Sequence, residues 1–158
     1  MEGFLNPLLR RLGEIRPGLG ATVIGAGGAA RAVVCALARS GVRPLILNRS
    51  VQRARGLAED FGCRGGGLDQ VELIQGHNEL IVQTTSVGME PAVEGDPLPD
   101  YRFNGSELVY DLVYKPQLTV FLKRAEAAGC TVIPGREMLD RQAEIQFKLF
   151  TGQDYPPC

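Results

Sequence analysis

The chain of 158 residues has no tryptophan, a single histidine and only 6% aromatic residues, and its charges nearly cancel to a net −1. No apolar run is long enough to cross a bilayer, and charged residues interrupt the first segment before it could form the core of a signal peptide. The balanced charge gives no indication of the strongly basic surface typical of nucleic-acid binding. We therefore expect a cytoplasmic globular protein with neither a nucleic-acid nor a membrane partner.

The four cysteines lack the spacing of a metal site. Cys35, Cys63, Cys130 and Cys158 are far apart and form no C-x-x-C pair, so the sequence predicts neither zinc nor another metal. Cys35 and Cys130 have apolar neighbours and are expected to be small core residues, which fits a reducing compartment. The one histidine, His77, lies in a polar stretch and is predicted to be a loop residue.

The most informative stretch is Thr22–Ala32, where a short apolar strand runs into a glycine turn and then into a helix of small residues. Gly25 permits a sharp reversal, and Gly27 and Gly28 carry no Cβ that would hold a ligand away from the backbone. The start of the helix directs free N–H groups and the positive end of its dipole into the same space. This pattern is typical of a dinucleotide site in a Rossmann-type unit; the alternative is a flexible turn that binds nothing.

Strands alternate with helices along the rest of the chain. This predicts an α/β fold with a doubly wound, mostly parallel sheet of the Rossmann type, in one domain over 1–158 whose residues 1–18 form an N-terminal helix. The predicted strands are about 21–25, 44–47, 79–83, 108–113 and 131–133, and the predicted helices about 28–40, 51–61 and 136–150. Pro7 and Pro116 are each expected at the first position of a helix, and Gly65–Gly67 is expected to be a connector that leads to a weak element near 68–74.

Polar residues after the second predicted strand indicate which dinucleotide fits. An enzyme that uses NAD normally has an acidic residue there, which accepts a hydrogen bond from the adenosine 2′-OH. This chain has Asn48, Arg49 and Ser50 instead, with Arg53 one helical turn beyond Arg49. Because two guanidinium groups and a hydroxyl suit a 2′-phosphate, the sequence favours NADP over NAD. The alternative is that Ser50 caps a helix whose arginines are merely solvated.

Five motifs in succession resemble those of shikimate dehydrogenase and together extend over nearly the whole chain. They are Gly25-Ala26-Gly27-Gly28-Ala29-Ala30, Asn48-Arg49-Ser50 with Arg53, Thr84-Thr85-Ser86-Val87-Gly88-Met89, Tyr110-Asp111-Leu112-Val113-Tyr114-Lys115-Pro116, and Gly135-Arg136-Glu137-Met138-Leu139-x-x-Gln142-Ala143. Shikimate dehydrogenase reduces 3-dehydroshikimate to shikimate with NADPH, in the chorismate pathway to the aromatic amino acids. It has an N-terminal substrate domain and a C-terminal NADP domain, and this chain resembles only the second.

The resemblance implies roles for individual residues. The residues implied to hold the pyrophosphate are Gly25, Ala26, Gly27, Gly28 and Ala29, and those implied to hold the adenosine 2′-phosphate are Asn48, Arg49, Ser50 and Arg53. Those implied to border the nicotinamide are Thr84, Thr85, Leu112 and Gly135, and those implied to reach the substrate are Tyr114 and Gln142. From the residues alone, Tyr114 could equally be an aromatic that ends a strand, and Gln142 a solvated helix residue. Asp111 needs hydrogen-bond partners if it is buried in its apolar strand.

The family's catalytic lysine and aspartate have no counterpart here. The chain's three lysines, Lys115, Lys123 and Lys148, lie outside the expected motif, and Glu2-Gly3-Phe4 resembles the residues that follow the family's Asn-Thr-Asp motif. The resemblance therefore implies no catalytic residue in this chain. It is expected to be an excised C-terminal domain or the tail of a larger enzyme, such as a bifunctional dehydroquinate dehydratase/shikimate dehydrogenase.

Two other functions stay open from the sequence. One is the NADP-binding module of another oxidoreductase, similar to that of glutamyl-tRNA reductase, although the Tyr110–Tyr114 and Gly135–Gln142 segments count against it. The other is a non-catalytic nucleotide-sensing module.

Overall fold

The structure, a computed structural model, describes residues 2–156, so that Cys158 lies outside the described residues. The helices are α1 (Glu2–Leu12), α2 (Gly28–Arg39), α3 (Val51–Phe61), α4 (Val120–Ala127) and α5 (Gly135–Thr151). The strands are β1 (Ala21–Ile24), β2 (Leu45–Leu47), β3 (Arg64–Gly66), β4 (Leu80–Gln83), β5 (Leu108–Asp111) and β6 (Thr131–Ile133), and a short 3-10 helix spans Val71–Ile74. No helix within 2–156 has both the length and the apolar character that crossing a membrane requires.

All six strands form one parallel sheet in the order β3-β2-β1-β4-β5-β6. The order runs outward from β1 in both directions, so that the connections cover both faces. One face packs against α1, α2 and α3, and the other against the 3-10 helix and α4. Val23 belongs to the first core and Ile24 to the second, as the alternation of side chains along a strand requires. The prediction of a doubly wound α/β sheet is confirmed.

The N-terminal helix is part of the first core. Phe4 of α1 stacks on Tyr110 of β5 with their ring centroids 5.2 Å apart, and Arg11 forms an ion pair with Glu137 of α5 at 2.6 Å. The helix spans Glu2–Leu12, so the prediction that residues 1–18 form a helix is wrong beyond Leu12. The prediction that Pro7 occupies its first position is also wrong, because Pro7 lies inside the helix. Burial of Phe4 against the core extends the helix toward the N-terminus beyond the local proline signal.

The start of one helix and the presence of one strand also differ from the predictions. Helix α4 begins at Val120 rather than Pro116, because the Thr119 hydroxyl caps it by accepting a hydrogen bond from the Leu122 N–H at 3.2 Å. The predicted connector contains β3, whose Gly65 lies directly beneath α3. A Cβ on Gly65 would stand 2.7 Å from the carbonyl carbon and oxygen of Ala54. The missing side chain therefore lets the helix backbone rest on this edge strand.

We predict that Gly65→Ala destabilises the fold by about 1–3 kcal/mol, because the new methyl group must push the α3 backbone away from β3. Urea unfolding measures the change. Gly56→Ala is the matched control, since Gly56 is an exposed residue of the same helix where a Cβ meets nothing within 4 Å. It should stabilise the protein by roughly 0.5–1 kcal/mol. Equal effects of the two substitutions would contradict this account of β3.

Candidate dinucleotide-binding site

The turn after β1 packs against Thr84, the residue that follows β4. Gly25 has a φ of +115°, and a Cβ there would stand 2.5 Å from the Thr84 Oγ1. That hydroxyl donates to the Ile24 carbonyl at 2.6 Å, which keeps Thr84 against the turn. On the other side, the Gly25 N–H donates to the Leu47 carbonyl of β2 at 2.7 Å. Only glycine fits this position, because it meets both a positive φ and a close approach.

The start of α2 is exposed, and no acidic side chain compensates the positive end of its dipole. Gly27 is its N-cap, so no side chain caps the helix, and its first turn has no acidic residue. A Cβ on Gly27 or Gly28 would meet no atom within 4 Å. Unlike Gly25, these two glycines are not required by contacts within the protein. The open space, the helix N–H groups and the positive end of the dipole suit a phosphate group.

The bend after β2 carries two exposed arginines. Asn48 donates from Nδ2 to the Ser50 carbonyl at 3.1 Å, and the Ser50 hydroxyl accepts from the Arg53 N–H at 3.5 Å, so Ser50 caps α3. Neither Arg49 nor Arg53 is in an ion pair within residues 2–156, whereas Arg31 on the neighbouring helix α2 pairs with Asp60 at 2.7 Å. The guanidinium groups of this bend are therefore available to an anion.

The loop after β4 is shaped by a buried amide that the sequence analysis missed. Gln83 is fully buried; its Oε1 accepts from the Thr85 N–H at 2.8 Å, and its Nε2 donates to the Val87 carbonyl at 3.1 Å. These bonds fold the loop so that Thr85 lies beside Thr84, next to the glycine turn. A polar residue at the end of an apolar strand was the available signal.

Two predicted site residues from distant parts of the chain meet beyond β5. The Leu112 N–H donates to the Gln83 carbonyl at 2.9 Å, which extends the sheet pairing by one residue. A Cβ on Gly135 would stand 2.5 Å from the Val113 carbonyl oxygen and 2.6 Å from the Leu112 carbonyl carbon and oxygen. The start of α5 thus rests directly on the Leu112–Val113 backbone, and only a residue without a side chain permits this contact.

Asp111 is fully buried at the end of β5 and has the partners that its burial requires. Its Oδ1 accepts from the Val113 N–H at 2.9 Å, and its Oδ2 accepts from the Thr119 hydroxyl at 2.7 Å. Burial raises the pKa of Asp111 to about 6, although these two hydrogen bonds oppose the increase and the Asp96 carboxylate adds to it.

The two predicted substrate residues lie in more open surroundings. Tyr114 is 50% exposed, just beyond Val113. Gln142 is exposed on α5 and lies over Gly3 of α1, where a Cβ would stand 2.6 Å from the Gln142 Cγ. It lines a groove of about 610 Å³ between these helices, together with Glu2, Gly3, Ile145, Gln146 and Leu149.

The opposite edge of the sheet is a weaker candidate for ligand binding. A cavity of about 530 Å³ opens at the amino ends of the strands, but Arg16 and Glu79, which line it, already pair with each other. Within residues 2–156, no group of three or more His, Cys, Asp or Glu side chains is placed to hold a metal ion. The carboxyl edge has the unpaired cations and the open helix start, so we place the candidate site there.

The family model for shikimate / quinate 5-dehydrogenase matches residues 14–95, just over half of the chain. The chain belongs to this family. Its relatives include the shikimate dehydrogenase (NADP(+)) of Moorella thermoacetica, which is 41% identical over an alignment that covers 98% of this chain and 55% of the relative.

Solved structures of shikimate/quinate 5-dehydrogenases share the fold. The shikimate 5-dehydrogenase from Thermus thermophilus, solved in complex with NADP(H) and shikimate, is 40% identical, with a TM-score of 0.81 over 98% of this chain and 57% of that one. The quinate dehydrogenase from Corynebacterium glutamicum, solved in complex with NAD, is 29% identical, with a TM-score of 0.82 over 97% of this chain and 56% of that one. The chain spans about half the length of each of these three relatives.

We predict that Asp111 makes the stability of this chain depend on pH. Its pKa in the folded state lies above the ordinary value of 3.8, so the stability that its proton confers is complete below about pH 4 and is lost as the pH rises through about 6. Asp111→Asn stays neutral and should therefore gain stability over the wild type across this interval, by at most about 3 kcal/mol. Urea unfolding at several pH values measures the difference. With Asp100→Asn as the exposed control, a difference for Asp111→Asn that does not change with pH would contradict the prediction.

Proposed function

We propose that this chain is the NADP(H)-binding domain of a shikimate dehydrogenase, and that the whole enzyme interconverts 3-dehydroshikimate and shikimate. The observation that carries the proposal is the uncapped start of α2, which lies one strand away from the unpaired arginines after β2. The Thermus thermophilus relative, solved with NADP(H) and shikimate, supports it. We assign residues 1–158 to this domain, with 1–18 as the segment, containing α1, that connects it to a substrate domain.

In this proposal the glycine turn holds the pyrophosphate. The backbone from Gly25 to Ala29 surrounds the open space at the start of α2, and no Cβ on Gly27 or Gly28 obstructs it. The N–H groups at the helix start would donate to the phosphate oxygens, and the helix dipole would favour their negative charge. The residues assigned to this contact are Gly25, Ala26, Gly27, Gly28 and Ala29.

The bend after β2 would bind the adenosine end. Asn48 and Ser50 fix the bend through their own hydrogen bonds, and Arg49 and Arg53 would pair with the 2′-phosphate. Because guanidinium groups give charge-assisted hydrogen bonds to phosphate, they favour NADP over NAD. The selectivity is worth testing, since two relatives of the same fold were solved with NAD.

The remaining residues are assigned to the nicotinamide and substrate end. Thr84, Thr85, Leu112 and Gly135 would border the nicotinamide, which supplies the hydride when bound. Tyr114 and Gln142 would reach the cyclohexene acid. We assign no catalytic residue to this chain, because the proton donor and most groups that hold the substrate belong to the part of the enzyme outside it.

We predict that Arg49→Ala and Arg53→Ala each weaken NADPH binding by roughly 10- to 100-fold, because each removes a charge-assisted contact with the 2′-phosphate. NADH affinity should hardly change. Titration of nicotinamide fluorescence measures both constants. Arg55→Ala removes the same charge from another exposed position of α3 and is the matched control.

An equal loss of NADPH and NADH affinity in both arginine variants would refute the assignment to the 2′-phosphate. If the wild-type chain bound neither nucleotide, the proposed function itself would fail.

We also predict that a protein made of these 158 residues alone oxidises shikimate with NADP at a negligible rate. Two exposed side chains, Tyr114 and Gln142, do not orient a substrate for hydride transfer without a proton acceptor beside it. NADPH fluorescence in a mixture of chain, shikimate and NADP measures the rate, with the full-length Moorella thermoacetica relative as the positive control. Turnover comparable to that of the relative would show that this chain contains its own catalytic groups.

A further inference from the structure

Asp111 is a buried carboxylate that the proposed function leaves without a role. It is fully buried at the end of an apolar strand, next to Leu112. Burial of a carboxyl group costs free energy that its hydrogen bonds must offset, whereas an apolar residue at the same position would avoid this cost. The two acceptor contacts of Asp111 indicate what the carboxyl group does.

The carboxyl group joins the turn after β5 to the start of α4. One oxygen accepts from the Val113 N–H at 2.9 Å, and the other accepts from the Thr119 hydroxyl at 2.7 Å. The same hydroxyl caps α4 by accepting from Leu122. Asp111 therefore fixes the backbone immediately after Leu112 to a rigid helix.

Other backbone hydrogen bonds tie the two ends of the segment 112–115, and Asp111 ties its middle. Leu112 is tied to Gln83 through its N–H, and the Lys115 carbonyl accepts from the Glu90 N–H at 3.0 Å, next to an ion pair between these residues at 3.1 Å. Val113 is buried, and its N–H donates to Asp111. Without the carboxyl group this N–H would be buried and unpaired, and the segment would have to shift to satisfy it.

That shift would alter the surface on which α5 begins. Gly135 lies against the carbonyl groups of Leu112 and Val113 with no room for a Cβ. A displacement of a few tenths of an ångström at Val113 must therefore move the contact between Leu112 and Gly135. We propose that Asp111 is a positioning residue, which holds the Leu112–Gly135 contact in the geometry that receives the nicotinamide half of NADP(H). This inference rests on the proposed function.

The test compares two ligands that share the adenosine end. NADPH carries the nicotinamide, whereas 2′-phospho-ADP-ribose lacks it. Asp111→Ala and Asp111→Leu should each raise the Kd of NADPH by roughly 10-fold or more, because the nicotinamide loses its contacts. Both should leave the Kd of 2′-phospho-ADP-ribose within about twofold of the wild-type value. The leucine variant removes the same hydrogen bonds but fills the space with an apolar residue, so that it separates their loss from the effect of a cavity.

Two further variants separate positioning from stability. Asp111→Asn should restore NADPH affinity, because the amide oxygen accepts from the Val113 N–H and its NH₂ group donates to the Thr119 oxygen. Glu107→Gln alters an equally buried carboxylate at the opposite end of β5, which accepts from the Asn104 and Gly105 N–H groups at 3.0 and 2.9 Å. It should lower the Tm and leave both dissociation constants unchanged.

A Kd for NADPH that stays at the wild-type value in the alanine and leucine variants overturns the inference and leaves the proposed function intact. Equal weakening of both ligands, or no rescue by asparagine, also overturns it, since either result assigns Asp111 a structural role only. If the wild-type chain bound neither ligand, the proposed function and this inference would fall together.

Discussion

The site depends on one constraint: the backbones at the carboxyl ends of neighbouring strands lie too close together for side chains. Gly25 has no space for a Cβ beside Thr84, and Gly135 has none beside Leu112. Between these two points the sheet pairing continues, because the Leu112 N–H donates to the Gln83 carbonyl. Backbone that is held in this way is already ordered by the fold, so that it loses little conformational entropy when a ligand binds. A long, thin ligand can therefore be received along the edge of the sheet by a surface that is already formed.

The two edges of the sheet differ in whether their charged side chains are paired. At the amino edge, Arg16 is paired with Glu79, whose pKa is lowered chiefly by the hydrogen bond from the Gly20 N–H. At the carboxyl edge, Arg49 and Arg53 have no acidic partner within residues 2–156, and the start of α2 has no acidic residue in its first turn. Free positive charge in a folded protein is costly to concentrate unless an anion neutralises it. The asymmetry is what a ligand with two separate phosphate groups would require.

The sequence predicts most accurately the elements whose ends are set by neighbouring residues along the chain. The bounds of α3 were predicted as observed, because Ser50 caps its start and Gly62 ends it in the left-handed conformation. Helix starts at Pro7 and Pro116 were predicted wrongly, since burial of Phe4 and the cap at Thr119 outweigh the preference of proline for the first turn. Local preference describes what a segment tolerates, and tertiary packing then selects among those states.

The long-range contacts that explain these residues could not be predicted from the sequence. The motifs indicated Gly25 and Gly135, but only the packing explains them, through partners that are distant along the chain, at Thr84 and at Leu112. Gln83 escaped notice because its function is to shape a loop by two hydrogen bonds to backbone, a role that leaves no periodic pattern. The backbone at Gly25, Leu112 and Gly135 is held by such contacts, whereas Tyr114 and Gln142 are exposed. In the proposed site, the cofactor half is therefore the half whose geometry the described residues fix by themselves.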